Sequence, residues 1–100
     1  MKAAILQGPR NFSVEDVKDP QVAPDGAIIR IKAFGVCGSE LPRFERGFPA
    51  ETVQDRGLEG ASLAQLGHEW SGEVVEVGAN VTNVKPGDRV AAGGYGGFSE

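Results

Sequence analysis

Apolar and polar positions alternate most cleanly in two stretches of the chain. Across residues 27–36 (AIIRIKAFGV), Ile29, Ile31 and Ala33 fall on one face and Ile28, Arg30, Lys32 and Phe34 on the other, which is the two-residue period of a β-strand. Across 67–78 (GHEWSGEVVEVG), Glu73, Val75 and Val77 alternate with Val74, Glu76 and Gly78 and predict a second strand. Residues 2–6 read as a short apolar strand, 11–17 as a half-buried one and 89–92 as a last one. Gly8-Pro9 predicts a turn between the first two, Pro20, Pro24 and Asp25-Gly26 break regular structure over 19–26, and 79–88 predicts a turn-rich connection.

Helical signals are few. Residues 41–46 are expected to form a short helix, with Ser39 as its N-cap and Pro42 tolerated in the first turn. Residues 47–66 mix Pro49, Gly57, Gly60 and several charges without a sustained period, and predict a long surface loop of the kind that is often functional or mobile. The glycine-rich stretch 93–100 contains neither the G-x-x-x-x-G-K-[ST] nor the G-x-G-x-x-G spacing and is followed by no helix. It reads as a flexible turn or bulge, and no dinucleotide-binding motif occurs in the sequence. The pattern is that of one mainly β, turn-rich domain over residues 1–100.

Composition narrows the function. A chain of 100 residues supports one core, burying somewhat over ~60% of its unfolded surface. The net charge of −4, with basic residues scattered between Lys2 and Arg89, gives no footprint for a phosphate backbone, so nucleic acid is not an expected partner. No apolar run reaches the ~18 residues of a membrane span, and residues 1–7 turn polar too soon for a secretory signal. A soluble, cytoplasmic protein is expected. One cysteine forms no internal disulfide, which leaves Cys37 as a free thiol, either packed or chemically used.

The ligand inventory is short: Cys37, the single His68, and nearby carboxylates, of which Glu69 adjoins His68 and Glu40 lies three residues after Cys37. Zinc accepts thiolate, imidazole and carboxylate, and a catalytic site leaves the fourth position to water or substrate. Neighbours in a strand point to opposite faces, so His68 and Glu69 reach one metal only where the backbone is irregular, which Gly67 permits. On residue chemistry alone, a packed cysteine and a packed or surface histidine remain the preferred reading.

The ordered set Gly35-Val36-Cys37-Gly38-Ser39-Glu40, then Gly67-His68-Glu69 with Gly72, Val75, Val77 and Gly78, then Gly87-Asp88-Arg89-Val90 resembles the amino-terminal part of the zinc-dependent medium-chain alcohol dehydrogenases. The similarity runs over most of the chain, to Gly97-Phe98-Ser99-Glu100. It implies an incomplete, amino-terminal portion of a GroES-like, partly open β-barrel with no Rossmann domain. It also implies that Cys37 and His68 hold the catalytic zinc. Glu69 matches a motif residue that in some members joins the metal and in others stays behind it. Ser39 matches the hydroxyl that passes the substrate proton outward, and Glu40 stands where the family usually has an Asp supporting the histidine. NAD or NADP would bind only through a domain absent from these residues. The implied substrate is a small alcohol, polyol or carbonyl compound, and complete relatives are expected to be homo-oligomers.

Three departures qualify the resemblance. Glu40 is one methylene longer than Asp, and Pro42 replaces a histidine of the proton relay, which then ends at Ser39 and water. A single cysteine excludes the four-cysteine structural zinc lobe. Two alternatives stand beside the dehydrogenase reading: a catalytically silent β module that binds metal or protein, or does not fold alone, and a zinc-free reductase of the same superfamily. The second is disfavoured by the cysteine and Gly-His-Glu motif. With three ligands at hand, zinc affinity of the isolated chain is expected to be weak.

Overall fold

The computed structural model describes residues 1–47, 66–94 and 96–100. The expected loop over 47–66 lies, in its span 48–65, outside the described residues. Among those described, the chain forms two antiparallel sheets, β1 (Lys2–Gly8) with β2 (Asn11–Asp16), and β3 (Ala27–Gly35), β4 (Glu69–Val77) and β5 (Arg89–Gly93) with β4 in the middle. A 3₁₀ turn, Gly38–Glu40, leads into one helix, α1 (Leu41–Arg46). Among the described residues this is a mainly β architecture whose sheets do not close into a barrel, in keeping with the partly open barrel that the GroES-like resemblance implies. No strand–helix–strand unit with parallel strands, and no helix long and apolar enough to cross a membrane, occurs among the described residues.

The apolar run at the start of the chain becomes β1 because its side chains are the ones with somewhere to go: Ala3, Ile5 and Leu6 are all buried. Its hairpin partner β2 pairs Lys2 with Asp16 and Leu6 with Phe12. The Pro9-Arg10 turn holds Arg10 at φ 58, and the Arg10 N–H donates to Phe44 O of α1 at 2.7 Å. The other edge of β1 is covered by the last residues of the chain, through Ala4 N–H to Phe98 O at 2.9 Å, Glu100 N–H to Lys2 O at 3.1 Å and a bridge between Ala3 and Ser99. Pairing both edges of the strand removes the exposed backbone groups that invite aggregation.

The long alternating stretches pair as β3 and β4, from Ala27 opposite Val77 to Gly35 opposite Glu69. Val74, 1% exposed, marks the covered face of β4. Three expectations need correction. The ladder is irregular at two places, with Val75 of β4 left over between Ile28 and Ile29 and Lys32 of β3 left over between Ile31 and Ala33, so neither strand keeps one strict alternation; each irregularity sets two residues against one and re-aims the side chains beyond it. β2 is not half-buried, since Val14 is 72% exposed, and it stops at Asp16 before Val17. Ser39 is not the N-cap of α1: it sits inside the 3₁₀ turn, and Glu40 takes the cap position, with Pro42 in the first helical turn as expected.

A six-residue helix has no independent stability in water. Phe44 anchors α1 by stacking on Phe12 with ring centroids 5.6 Å apart, and Gly47 ends it at φ 75 with its N–H on Arg43 O. Phe12 also meets Phe98, and Phe98 meets Phe34 at 4.7 Å, so four rings tie α1, β2, β3 and the carboxy-terminal residues together.

Candidate metal centre

The end of β3, the 3₁₀ turn and the residues entering β4 meet at one place. Gly35 closes β3, the chain leaves the sheet through Val36, and Cys37 starts the turn. On the other side, Gly67 adopts φ +89, and His68 lies before the first residue of β4, Glu69. The irregular backbone that lets adjacent residues face one point is therefore present at Gly67-His68. One donor atom each from Cys37, His68 and Glu69 lie within 4.8 Å of one another. Tetrahedral zinc with ordinary bond lengths sets its donors about 3.4–3.6 Å apart. The set fits a thiolate–imidazole–carboxylate site after an adjustment of about 1 Å, which the half-buried Cys37 and the exposed Glu69 accommodate by side-chain rotation.

Glu69 comes close because β3 leaves room for it. Gly35 is its register partner, and a Cβ on Gly35 would lie 2.9 Å from Glu69 Oε2. The Ser39 hydroxyl donates to Cys37 Sγ at 3.3 Å, which places a proton-carrying group on the solvent side of the thiol.

Behind the donors lies Glu40, 2% exposed. Its Oε2 accepts the Cys37 N–H at 3.2 Å, and its Oε1 accepts the Gly67 N–H at 2.5 Å. The same Oε1 lies 3.3 Å from His68 Nδ1, which leaves Nε2 as the ring nitrogen on the other side.

Sequence reasoning missed the glycine-rich segment. It is no mere flexible turn, because it straps down the histidine: Gly94 N–H donates to His68 O at 3.0 Å, Gly97 N–H to Gly67 O at 2.8 Å, and Trp70 Nε1 to Gly94 O at 2.8 Å. A Cβ on Gly67 would fall 2.5 Å from Phe98 Cδ1. The sequence hinted at it through the glycines clustered over 93–97, since glycine beside a strand marks close backbone approach, but local pattern does not name Gly67 and His68 as the partners. An open cleft of about 720 Å³ lies elsewhere, along Ile28, Ile29, Ile31 and Val75, and none of Cys37, Ser39, His68 or Glu69 lines it.

Comparison with known proteins gives a consistent answer. Residues 23–100 match the model of the alcohol dehydrogenase GroES-like domain. The chain is 34% identical to (R,R)-butanediol dehydrogenase of Bacillus subtilis, over all of this chain and 37% of that one, in a matched stretch 128 residues long there. It is 35% identical to sorbitol dehydrogenase of the same organism, over 91% of this chain and 24% of that one. Among solved structures it is similar to 2R,3R-butanediol dehydrogenase of Bacillus subtilis, with a TM-score of 0.72 and 37% identity over 90% of this chain and 26% of that one. The chain thus spans about a quarter to a third of the length of these relatives.

Proposed function

We propose, from the premise that this chain belongs to the alcohol dehydrogenase GroES-like domain family of the medium-chain dehydrogenases, that it is the zinc-binding catalytic segment of an NAD(P)-linked alcohol or polyol dehydrogenase. The observation that carries this reading is the convergence of Cys37, His68 and Glu69 donors within 4.8 Å. When bound, zinc supplies Lewis-acid polarisation of a substrate oxygen.

This chain's own residues would do the rest. Cys37 Sγ, His68 through Nε2, and a Glu69 carboxylate oxygen hold the ion. Glu40 Oε1, 3.3 Å from Nδ1, would orient the ring from behind. Ser39, whose hydroxyl touches Cys37 Sγ at 3.3 Å, receives the alcohol proton and hands it to water. Pro42 in the first turn of α1 offers no further relay group. A nicotinamide, for which the relatives' greater length leaves room in a separate domain, would supply the hydride acceptor. Small alcohols and polyols are the proposed substrates, in keeping with the names of the relatives.

The test is turnover of small diols and polyols with NAD or NADP by the protein joined to a nucleotide-binding domain. Cys37→Ala is expected to abolish it, and retained turnover in that variant contradicts the mechanism. A second reading rests on the share of the relatives' length that the chain spans: the 100 residues alone bind the metal without turnover. Steady-state oxidation of an alcohol by the isolated chain would refute it.

A further inference from the structure

We infer that Glu40 is a length-specific clamp that holds the Cys37 turn and the Gly67-His68 turn together before any metal binds, and that aspartate cannot replace it here. The inference rests on the metal-site reading above, and adds to it a role for both carboxylate oxygens toward the backbone.

Two turns far apart in sequence must be brought to one point for Cys37 and His68 to share an ion, and Glu40 reaches Gly67 across 27 residues. The carboxylate is almost wholly buried, and each oxygen has its own task. Oε2 accepts the Cys37 N–H at 3.2 Å, reaching back along its own turn as a capping glutamate does. Oε1 accepts the Gly67 N–H at 2.5 Å and lies 3.3 Å from His68 Nδ1. Hydrogen bonds from backbone N–H groups to a carboxylate are among the strong ones, and here they tie each ligand-bearing turn to a single rigid group. Length matters because the carboxylate has to reach back to Cys37 and across to Gly67 from one Cα. Removing a methylene withdraws it by about 1.5 Å, enough to break one of the two bonds. Glutamine keeps the length but turns an NH₂ donor toward one of two N–H donors.

The test begins without metal. In the wild-type chain, the amide protons of Cys37 and Gly67 are expected to resonate downfield and to exchange slowly with solvent; ordinary shifts and fast exchange at both would overturn the clamp even if every variant unfolds. In Glu40→Asp and Glu40→Gln, with folding verified by the protected Val74 amide, exchange at Cys37 or Gly67 should accelerate at least about tenfold. Cobalt(II) affinity should fall on the order of 10 to 100-fold. Wild-type exchange and cobalt affinity in Glu40→Asp would overturn the proposal. Accelerated exchange in the variants, together with no cobalt binding by the wild type, would sustain the clamp and sink the metal reading instead.

Discussion

Replacing Gly67 by alanine should be among the most damaging single-methyl changes in the chain. At φ +89 an L-residue pays about 1–2 kcal/mol for left-handed backbone. The new methyl would also lie 2.5 Å from Phe98 Cδ1 and 2.7 Å from the Phe98 backbone nitrogen. The ring can tilt, but the nitrogen cannot retreat without weakening the bonds from Gly97 N–H to Gly67 O and from Phe98 N–H to Leu66 O. Overpacking of this kind costs about 1–3 kcal/mol. The stiffer unfolded chain returns about 0.4–1 kcal/mol. The net loss is about 1–5 kcal/mol, against a total stability of about 5–15 kcal/mol for a domain of this size.

At about 4–8 °C per kcal/mol, thermal unfolding followed by circular dichroism should show Tm lowered by at least about 4 °C, and by about 12–24 °C at a mid-range loss of about 3 kcal/mol. Gly87→Ala is the control, since Gly87 has φ +92 with nothing within 4 Å of the added carbon, and so carries the backbone cost alone. Equal losses in the two variants would refute the close approach of Gly67 to Phe98.

Gly35→Ala should act on the metal site and not on the fold, because the methyl meets the flexible end of Glu69, with Oε2 at 2.9 Å. Tm should change by less than about 4 °C, the shift of roughly 1 kcal/mol, while cobalt affinity measured by titration falls; unchanged affinity would place Glu69 outside the metal's ligands. Asp88 gives a pH prediction. Its side chain is held below the ordinary carboxylate pKa first by the Lys85 side-chain hydrogen bond at 2.7 Å and then by the Lys85 N–H at 3.0 Å. A depressed folded-state pKa contributes stability above the unfolded value and loses it as pH falls through the folded one. Carboxyl-carbon NMR titration should find the Asp88 midpoint below that of a free aspartate, and Lys85→Met should raise it; a midpoint indifferent to Lys85 contradicts the contact.

Much of the architecture was legible because long alternating stretches leave little freedom: residues 27–36 and 67–78 read as strands, and β3 and β4 form within them. The short helix expected at 41–46, with Pro42 tolerated in its first turn, is present. Bulges at Ile28/Ile29 and Ile31/Ala33 were not legible, because register depends on the partner strand and not on local composition. Ser39 failed as a cap because the turn starts earlier, at Cys37, where Glu40 can satisfy the cap N–H. For the site, residue chemistry alone favoured a packed cysteine and histidine; it was the resemblance to the medium-chain dehydrogenases that implied Cys37, His68 and Glu69, and the structure brings donor atoms of these three within 4.8 Å of one another. What no local pattern reveals is the pair of long-range devices behind them: the Glu40 oxygens reaching Gly67, and the glycine-rich strap whose N–H groups hold the Gly67 and His68 carbonyls.

The central claim is that Cys37, His68 and Glu69 form one metal site. Cobalt(II) titration of the purified chain, followed by absorption from the near ultraviolet through the visible, tests it directly. The expected result is about one cobalt bound per chain, with a thiolate-to-cobalt charge-transfer band and the visible bands of a four-coordinate ion. Both should be lost in Cys37→Ala and in His68→Ala, while the two variants keep the wild-type fold. A cobalt complex that lacks the thiolate band, or that survives either substitution unchanged, would contradict the account.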